Sequence, residues 1–142
     1  MSPAEQFALQ ARMAGLPDAV AFVEGFCVAH GISQADGLRL TLMVEELFTN
    51  TVEHGHGGDS EAAVRLELRH DSTHVELFYE DRAVAFDPLS RVVDLPGEGP
   101  AGLDARRVGG VGIVLVTHMA TTSRYTYEDG CNRLWLRLQR EA

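Results

Sequence analysis

A carboxylate and a carboxamide stand one helical turn apart in the segment EELFTNTVEHG, residues 45–55. At about 100° per residue, Glu46, Asn50 and Glu53 fall on one stripe of a helix, whereas Glu45 points away from it. Carboxylate and amide oxygens at this spacing can meet a hydrated Mg²⁺ that takes its other ligands from phosphates. The same side chains could instead form a solvated helix face, which is the default for isolated polar residues. The segment alone leaves both interpretations open.

Two further segments have compositions that suit a phosphate-bearing ligand. Residues 80–88, EDRAVAFDP, place an acid at a strand end before small residues and an Asp-Pro turn. Residues 109–115, GGVGIVL, place glycines at the start of a helix, where free N–H groups and the helix dipole can hold an anion. A glycine-rich helix start is equally compatible with close packing, so this segment is not decisive by itself.

Hydrophobic periodicity predicts two helices that would position the first polar segment. One begins at about residue 16 and ends at His30-Gly31; the other has Ser33 as its N-cap and extends to about His54. The core face of the second helix should consist of the residues that cluster on the side next to the polar stripe: Leu40, Val44, Leu47 and Thr51.

Two β-hairpins follow in the predicted order of elements. The first joins strands 63–69 and 74–80, and the second joins strands 123–127 and 133–138 through Asp129-Gly130. Between them, residues 88–109 contain three of the five prolines and predict a mobile loop, which a short apolar helix over 113–119 follows. This order favours an α/β sandwich with helices on one face of a largely antiparallel sheet.

Trp135 alternates with Leu134 and Leu136, so its side chain should lie on the sheet face opposite theirs. Two interpretations of this residue stay open. A tryptophan in this position could anchor a protein partner. Packing beneath the first helix is the simpler alternative.

Composition limits the class of protein. The chain has 142 residues and 45% hydrophobic content, which suits one compact domain with a core of ordinary size. Its 12 basic and 21 acidic side chains give a net charge of −9, which argues against a nucleic-acid partner because phosphate binding is dominated by Lys and Arg. Two cysteines without metal-type spacing predict reduced thiols, and the absence of a long apolar run predicts a cytoplasmic protein without a membrane span.

In combination, the three segments resemble the boxes of the GHKL, or Bergerat-fold, ATPases. The asparagine box corresponds to residues 46–55, the first glycine box to residues 81–88 and the second to residues 110–115. The resemblance implies the histidine kinase-like ATPase fold, with a mixed, mostly antiparallel sheet. We therefore expect an extension over 1–15 and a single domain over 16–142, with a lid at about 88–109.

Within this superfamily the chain is most similar to the small anti-sigma factor serine/threonine kinases. Phe86-Asp87-Pro88, the short lid and the closing GCNRL hairpin at 130–134 are typical of that branch. The resemblance implies an ATP- and Mg²⁺-dependent kinase that phosphorylates a STAS-type anti-sigma-factor antagonist and otherwise binds a sigma factor. It also implies a homodimer.

The resemblance assigns roles to individual residues. Glu46 corresponds to the general base, Asn50 to the Mg²⁺ ligand, and Asp81 to the acid that accepts a hydrogen bond from the adenine amino group. Gly110 and Gly112 correspond to glycines whose backbone approaches the phosphates. The remaining residues of the nucleotide-binding set lie in the same three boxes: His54, Ala83, Phe86 and Ile113.

The chain departs from the family pattern at two places. The first glycine box normally reads Asp-x-Gly-x-Gly, and here Ala83 and Ala85 replace its glycines. Alanine resists positive φ and adds a methyl group where a nucleotide edge should pass. The last hairpin carries Cys131-Asn132 where many relatives have a threonine. These departures define an alternative function, a module that regulates by protein binding with weak or lost nucleotide binding.

Overall fold

The computed structural model describes residues 1–89 and 118–141. The predicted glycines of the second box, most of the predicted loop and most of the helix over 113–119 lie outside these residues. The elements in the described ranges are, in chain order, β1 (Glu5–Gln10), a 3₁₀ turn (Met13–Gly15), α1 (Leu16–Ala29), α2 (Gln34–Asn50), a π-helical turn (Thr51–Gly55), β2 (Ala63–His70), β3 (His74–Asp81), β4 (Thr122–Glu128) and β5 (Cys131–Gln139).

The five strands form one sheet in the order β1-β2-β3-β5-β4, and every described strand pair is antiparallel. Both predicted hairpins are confirmed, as β2-β3 and as β4-β5. The second hairpin turns through Asp129 and Gly130, whose φ angles are 55° and 74°. Two successive positive φ values match the right-handed twist of the flanking strands, which explains why an Asp-Gly pair is found there.

Strand β1 lies in the segment that the sequence analysis treats as an extension. It pairs with β2 along its whole length, from Glu5 opposite Leu68 to Gln10 opposite Ala63. Phe7 on this strand stacks on Phe22 of α1 with ring centroids 5.3 Å apart. Since only two large apolar residues alternate in this short segment, its period-2 signal is weak, and it was not predicted as a strand.

The predicted ends of the two helices are largely confirmed. The Oγ of Ser33 accepts a hydrogen bond from the Asp36 N–H at 3.0 Å, as an N-cap should. His30 ends α1 and is followed by Gly31, whose φ is +65°. The α-helical part of α2 ends at Asn50, four residues before the predicted end, and a π-helical turn continues it to Gly55. Such turns are rare and occur frequently at functional sites.

The sheet has two different faces. Helices α1 and α2 cover one face, where the core consists of alternate strand residues and the predicted apolar face of α2. Leu134 and Leu136 of β5 belong to this core, whereas Trp135 points to the other face and contacts Phe78 of β3. Packing of Trp135 beneath the first helix, one of the two interpretations above, is therefore wrong. None of the helices in the described ranges has the length and apolarity that a membrane span requires.

Candidate functional site

Asp81, at the end of β3, is the most constrained acid of the predicted site. It is only 7% exposed and lies opposite Asn132 of β5 in the strand register. One carboxylate oxygen, Oδ2, accepts a hydrogen bond from the Thr51 hydroxyl at 2.7 Å. The other, Oδ1, accepts bonds from Asn132 Nδ2 at 2.8 Å and from the Ala83 N–H at 3.1 Å. Three donors thus fix the orientation of a buried carboxylate.

Thr51 connects the polar end of α2 to this carboxylate. Its Oγ1 lies 2.6 Å from the hydroxyl of Tyr79, and burial together with the charge of Asp81 raises the pKa of Tyr79 well above its ordinary value. Tyr79 therefore keeps its proton, and when Thr51 donates to Asp81 its oxygen can accept the Tyr79 proton. The carbonyl oxygen of Leu47 is a further acceptor, 3.0 Å from Thr51 Oγ1 and 3.3 Å from the Tyr79 hydroxyl. Because Thr51 directly follows Asn50, this chain of bonds brings the asparagine box next to Asp81.

The two leading residues of the asparagine box lie where the helical periodicity predicts them. Glu46 and Asn50 are half-buried and one turn apart on α2, whereas Glu45 is exposed. Neither Glu46 nor Asn50 makes a side-chain hydrogen bond or an ion pair with any residue in the described ranges. Glu53, predicted on the same stripe, follows the start of the π-helical turn and is exposed, as is His54.

Asn132 organises the loop of the first glycine box. Its Nδ2 donates to the backbone carbonyls of Ala83 at 3.2 Å and Val84 at 3.0 Å, in addition to Asp81. Its Oδ1 accepts from the N–H of Phe86 at 2.9 Å and from the hydroxyl of Tyr125. One carboxamide therefore bonds the loop at three backbone positions, which accounts for its ordered path without the family's glycines.

Ala83 and Gly55 approach each other closely. A Cβ atom added to Gly55 would lie 2.7 Å from the Cβ of Ala83, a distance that real Cβ atoms essentially never show. Ala83 is 6% exposed, so its methyl group fills the space that the missing side chain of Gly55 leaves. Ala85 and Val84, the next residues of the loop, are exposed. The first alanine replacement is thus accommodated by packing against the asparagine box.

The described residues fit an adenine nucleotide with its metal ion. A carboxylate has about four lone-pair positions, and the three donors to Asp81 leave one for an adenine amino group. The Glu46 and Asn50 oxygens, half-buried and without partners among the described residues, are suitable acceptors for a proton and a cation. Of the predicted nucleotide-binding residues, Gly110, Gly112 and Ile113 lie outside the described residues, and the roles of the others stay predictions.

Sequence reasoning missed the residues that hold Asp81 in place. Thr51 was predicted only as part of the core face, and Tyr79 only as an alternating strand residue. A hydroxyl among apolar residues of a core face is the signal that could have identified Thr51, because a buried hydroxyl needs a partner. Asn132 was identified only as a departure from the family pattern. Its contacts depend on the β3-β5 register, which the sequence does not specify.

Comparisons with known proteins identify the family of the chain. The family model described as the histidine kinase-like ATPase domain matches residues 9–138. The chain is 27% identical over 93 residues to proteins named serine-protein kinase RsbW from Listeria innocua serovar 6a and from Listeria monocytogenes serotype 4a. These matches cover 64% of the chain and 59% of each relative, so the chain matches about three-fifths of their length.

Two solved structures share the fold at lower identity. A structure of the RsbU and RsbW domains of Rv1364c from Mycobacterium tuberculosis superposes with a TM-score of 0.62 and 16% identity, over 98% of the chain and 32% of that protein. A chain of the SiaB-SiaC complex from Pseudomonas aeruginosa superposes with a TM-score of 0.61 and 14% identity, over 95% of this chain and 89% of that one. Because the family model covers most of the sequence, the chain belongs to the family of histidine kinase-like ATPase domains and carries the Bergerat fold, with RsbW serine-protein kinases among its relatives.

Proposed function

We propose that this protein is an anti-sigma factor with ATP- and Mg²⁺-dependent serine/threonine kinase activity toward a STAS-type anti-sigma-factor antagonist. It acts in the bacterial cytoplasm as a homodimer and binds a sigma factor when the antagonist does not occupy it. The observation that supports the proposal most directly is the hydrogen bond from Thr51 to the buried carboxylate of Asp81, the residue that we propose binds adenine. Thr51 directly follows Asn50 at the end of α2.

Each residue of this site has a defined task in the proposed reaction. The nucleotide supplies the phosphoryl group, and the metal ion neutralises the charge of its phosphates. Asp81 holds the base by accepting a hydrogen bond from the amino group that adenine presents. Asn50 supplies an oxygen ligand to the metal ion. Glu46 takes the proton of the attacking serine or threonine hydroxyl of the antagonist. The hydroxyl oxygen forms a bond to the terminal phosphorus, and the bond from that phosphorus to the departing nucleoside diphosphate breaks.

Phosphorylation would also release the antagonist. The chain carries a net charge of −9, so a dianionic phosphate on a contacting residue opposes rebinding. This supports a switch in which the kinase exchanges one protein partner for the other.

A second candidate function follows from the first glycine box. Ala83 and Ala85 replace two glycines, and Asn132 bonds the loop that contains them. A loop adapted in this way is compatible with a regulator that binds its partners without transferring phosphate. Such a regulator would bind the sigma factor or the antagonist without modifying either.

A phosphotransfer assay with the cognate antagonist separates the two functions. Phosphate on a serine or threonine of the antagonist, dependent on both ATP and Mg²⁺, is the expected result. Tight complex formation without transfer would favour the second function. Thermal unfolding with millimolar Mg·ATP gives an independent measurement, because a ligand that binds only the folded state raises the midpoint. An unchanged midpoint would contradict the kinase function.

A further inference from the structure

The sheet face opposite the helices contains an aromatic pair partly covered by arginines. Phe78 and Trp135 lie opposite each other on β3 and β5, with ring centroids 5.0 Å apart. The guanidinium carbon of Arg65 lies 5.1 Å from the centroid of the Phe78 ring, and that of Arg124 lies 4.0 Å from the centroid of the Trp135 ring. Phe78 is 7% exposed beneath this layer, whereas Trp135 is half-buried. The described helices are on the other face and do not cover it.

Beside Trp135 is an open pocket of about 330 Å³ between β4, β5 and the ends of β2 and β3. Its charged lining consists of three guanidinium groups and one carboxylate, in a chain whose net charge is −9. The lining residues are Arg69, Glu76, Thr122, Ser123, Arg124, Trp135 and Arg137. The pocket is therefore locally cationic on an acidic protein, which makes it a suitable site for an anionic group.

Two of these arginines lack strong partners within the described residues. Arg69 pairs with Glu76 at 2.6 Å and is satisfied. Arg124 forms no ion pair with any described residue, and its guanidinium stacks on Trp135. Arg137 reaches a carboxylate only at 4.0 Å, that of Asp71 in the β2-β3 turn, and its buried Nε has no hydrogen-bond partner. No carboxylate of the described residues lies within hydrogen-bond distance of either guanidinium group, so the N–H donors at their ends could bind a carboxylate from another molecule.

We propose that this face is a docking surface for an acidic protein segment, which places a carboxylate between Arg124 and Arg137 and an apolar side chain against Trp135. Arginine and tryptophan are the residues most enriched among those that dominate interface energies. A nucleic acid is a poorer match, since its affinity depends on many phosphate contacts and the net charge of the chain opposes them. The surface lies on the opposite side of the sheet from α2, so this proposal is independent of the proposed kinase activity.

The sequence contains a single tryptophan, so its fluorescence reports directly on this face. The probe is a short, end-blocked peptide in which glutamates flank a leucine, and the matched peptide has glutamine in place of glutamate. Titration of the full chain with the acidic peptide should give a saturable change in Trp135 fluorescence. A fluorophore on the peptide gives a second measurement, by anisotropy, which changes in Trp135 emission do not affect. Only the acidic peptide should bind.

Arg124→Gln and Arg137→Gln should each weaken peptide binding by about tenfold, the effect of losing one charged hydrogen bond. Both side chains lie on the strand surface, so these variants should fold. Arg12→Gln is the control, because it removes the same charge from an exposed position outside the face. Equal binding by Arg124→Gln, equal binding of the glutamine peptide, or no saturable change at millimolar peptide would overturn the proposal.

Two further outcomes would assign a different occupant and also overturn it. Displacement of the peptide by an oligothymidylate at lower concentration than by unlabelled peptide would indicate a nucleic-acid surface. Sedimentation velocity tests the remaining case. A wild-type dimer that Trp135→Ser or Arg124→Gln converts to monomer would show that a second copy of the chain covers this face. We expect that neither substitution changes the mass of the species that the wild-type protein forms.

Discussion

The methyl group of Ala83 occupies the space next to Gly55, so that a Cβ at residue 55 would lie only 2.7 Å from it. The two residues belong to different boxes, one at the end of the π-helical turn and the other in the loop after β3. Ala83 departs from the family pattern in the first glycine box, and its methyl group is accommodated because residue 55 of the asparagine box is a glycine. The contact couples the two segments on which the proposed nucleotide site depends.

Gly55→Ala should lower the free energy of unfolding by about 1 to 3 kcal/mol, because the new methyl group overpacks a closely packed contact. Ala83→Gly in the same chain should recover part of this loss by removing the opposing methyl group. Urea unfolding of the wild type, both single variants and the double variant forms a double-mutant cycle, and residues in contact should give a non-zero coupling energy. Additive effects would show that the contact is absent in solution.

Asn132→Asp should make stability depend on pH in a way that the wild type does not. The new carboxyl group would lie beside Asp81, and two adjacent carboxylates raise the folded-state pKa of the pair. A carboxyl pKa raised above its unfolded value of about 4 contributes stability at low pH that is lost as the pH rises through the folded pKa. The deficit relative to wild type should therefore be small near pH 4 and largest near neutrality, as urea unfolding at several pH values would measure.

The isosteric shape of aspartate makes the Asn132→Asp comparison informative. A deficit that is constant between acid and neutral pH would indicate loss of the amide hydrogen bonds to Ala83 and Val84 alone. Asn132→Ala serves as the control, since it removes those bonds without adding a charge. It also removes the donor to Asp81, so its deficit should rise toward neutral pH, but by less than the deficit of Asn132→Asp, which adds a second carboxylate.

Asp71 should contribute to stability against acid. Its carboxylate accepts hydrogen bonds from the backbone N–H groups of Thr73 at 2.8 Å and His74 at 2.7 Å, and these lower its pKa from 3.8 to about 2. A folded pKa below the unfolded value stabilises the fold above the unfolded value, and this contribution is lost as the pH falls from about 4 toward 2. Asp71→Asn should remove that part of the acid dependence, measured as the change in urea midpoint with pH.

The fold could be predicted to the extent that its elements have strong periodic patterns. Helix α2 and both hairpins combine apolar spacing with end signals such as Ser33 and Asp129-Gly130, so their ends are close to the predicted ones. Strand β1 is short and has two large apolar residues, and it is fixed by pairing with β2 rather than by its own pattern. A tertiary partner, distant in sequence, decides its structure.

The candidate site was predictable for residues on one element and less so for contacts between elements. Helical spacing put Glu46 and Asn50 on one stripe of α2, and Asp81 was noted as an acid at a strand end, but only the family resemblance assigned them to one site. The bonds from Thr51 and Asn132 to Asp81 join residues 30 and 51 positions away from it, through the helix packing and the β3-β5 register. Local patterns do not encode such long-range geometry, so these residues were recognised only in the folded chain.

Glu46→Ala should abolish phosphotransfer while leaving Mg·ATP binding and partner binding intact, because a general base acts on the attacking hydroxyl and not on the nucleotide. Glu45→Ala is a closely matched control. It removes the same side chain from the adjacent, exposed position of α2, so the helix and the net charge change equally. Phosphate transfer should fall by at least about a hundredfold in the first variant, the lower range for loss of a general base, and stay near wild type in the second.

Asn50→Ala, compared with Glu46→Ala, should distinguish the role of the metal ligand from that of the general base. Loss of the carboxamide removes an oxygen ligand for Mg²⁺, so this variant should lose metal-dependent nucleotide binding as well as transfer. The Mg·ATP-induced rise in the thermal midpoint should therefore disappear in Asn50→Ala and persist in Glu46→Ala. If Glu46→Ala retained full transfer while Asn50→Ala lost it, the base would have to be another residue. If both variants retained transfer, the polar stripe on α2 would be a solvated helix face, the alternative interpretation that the sequence alone left open.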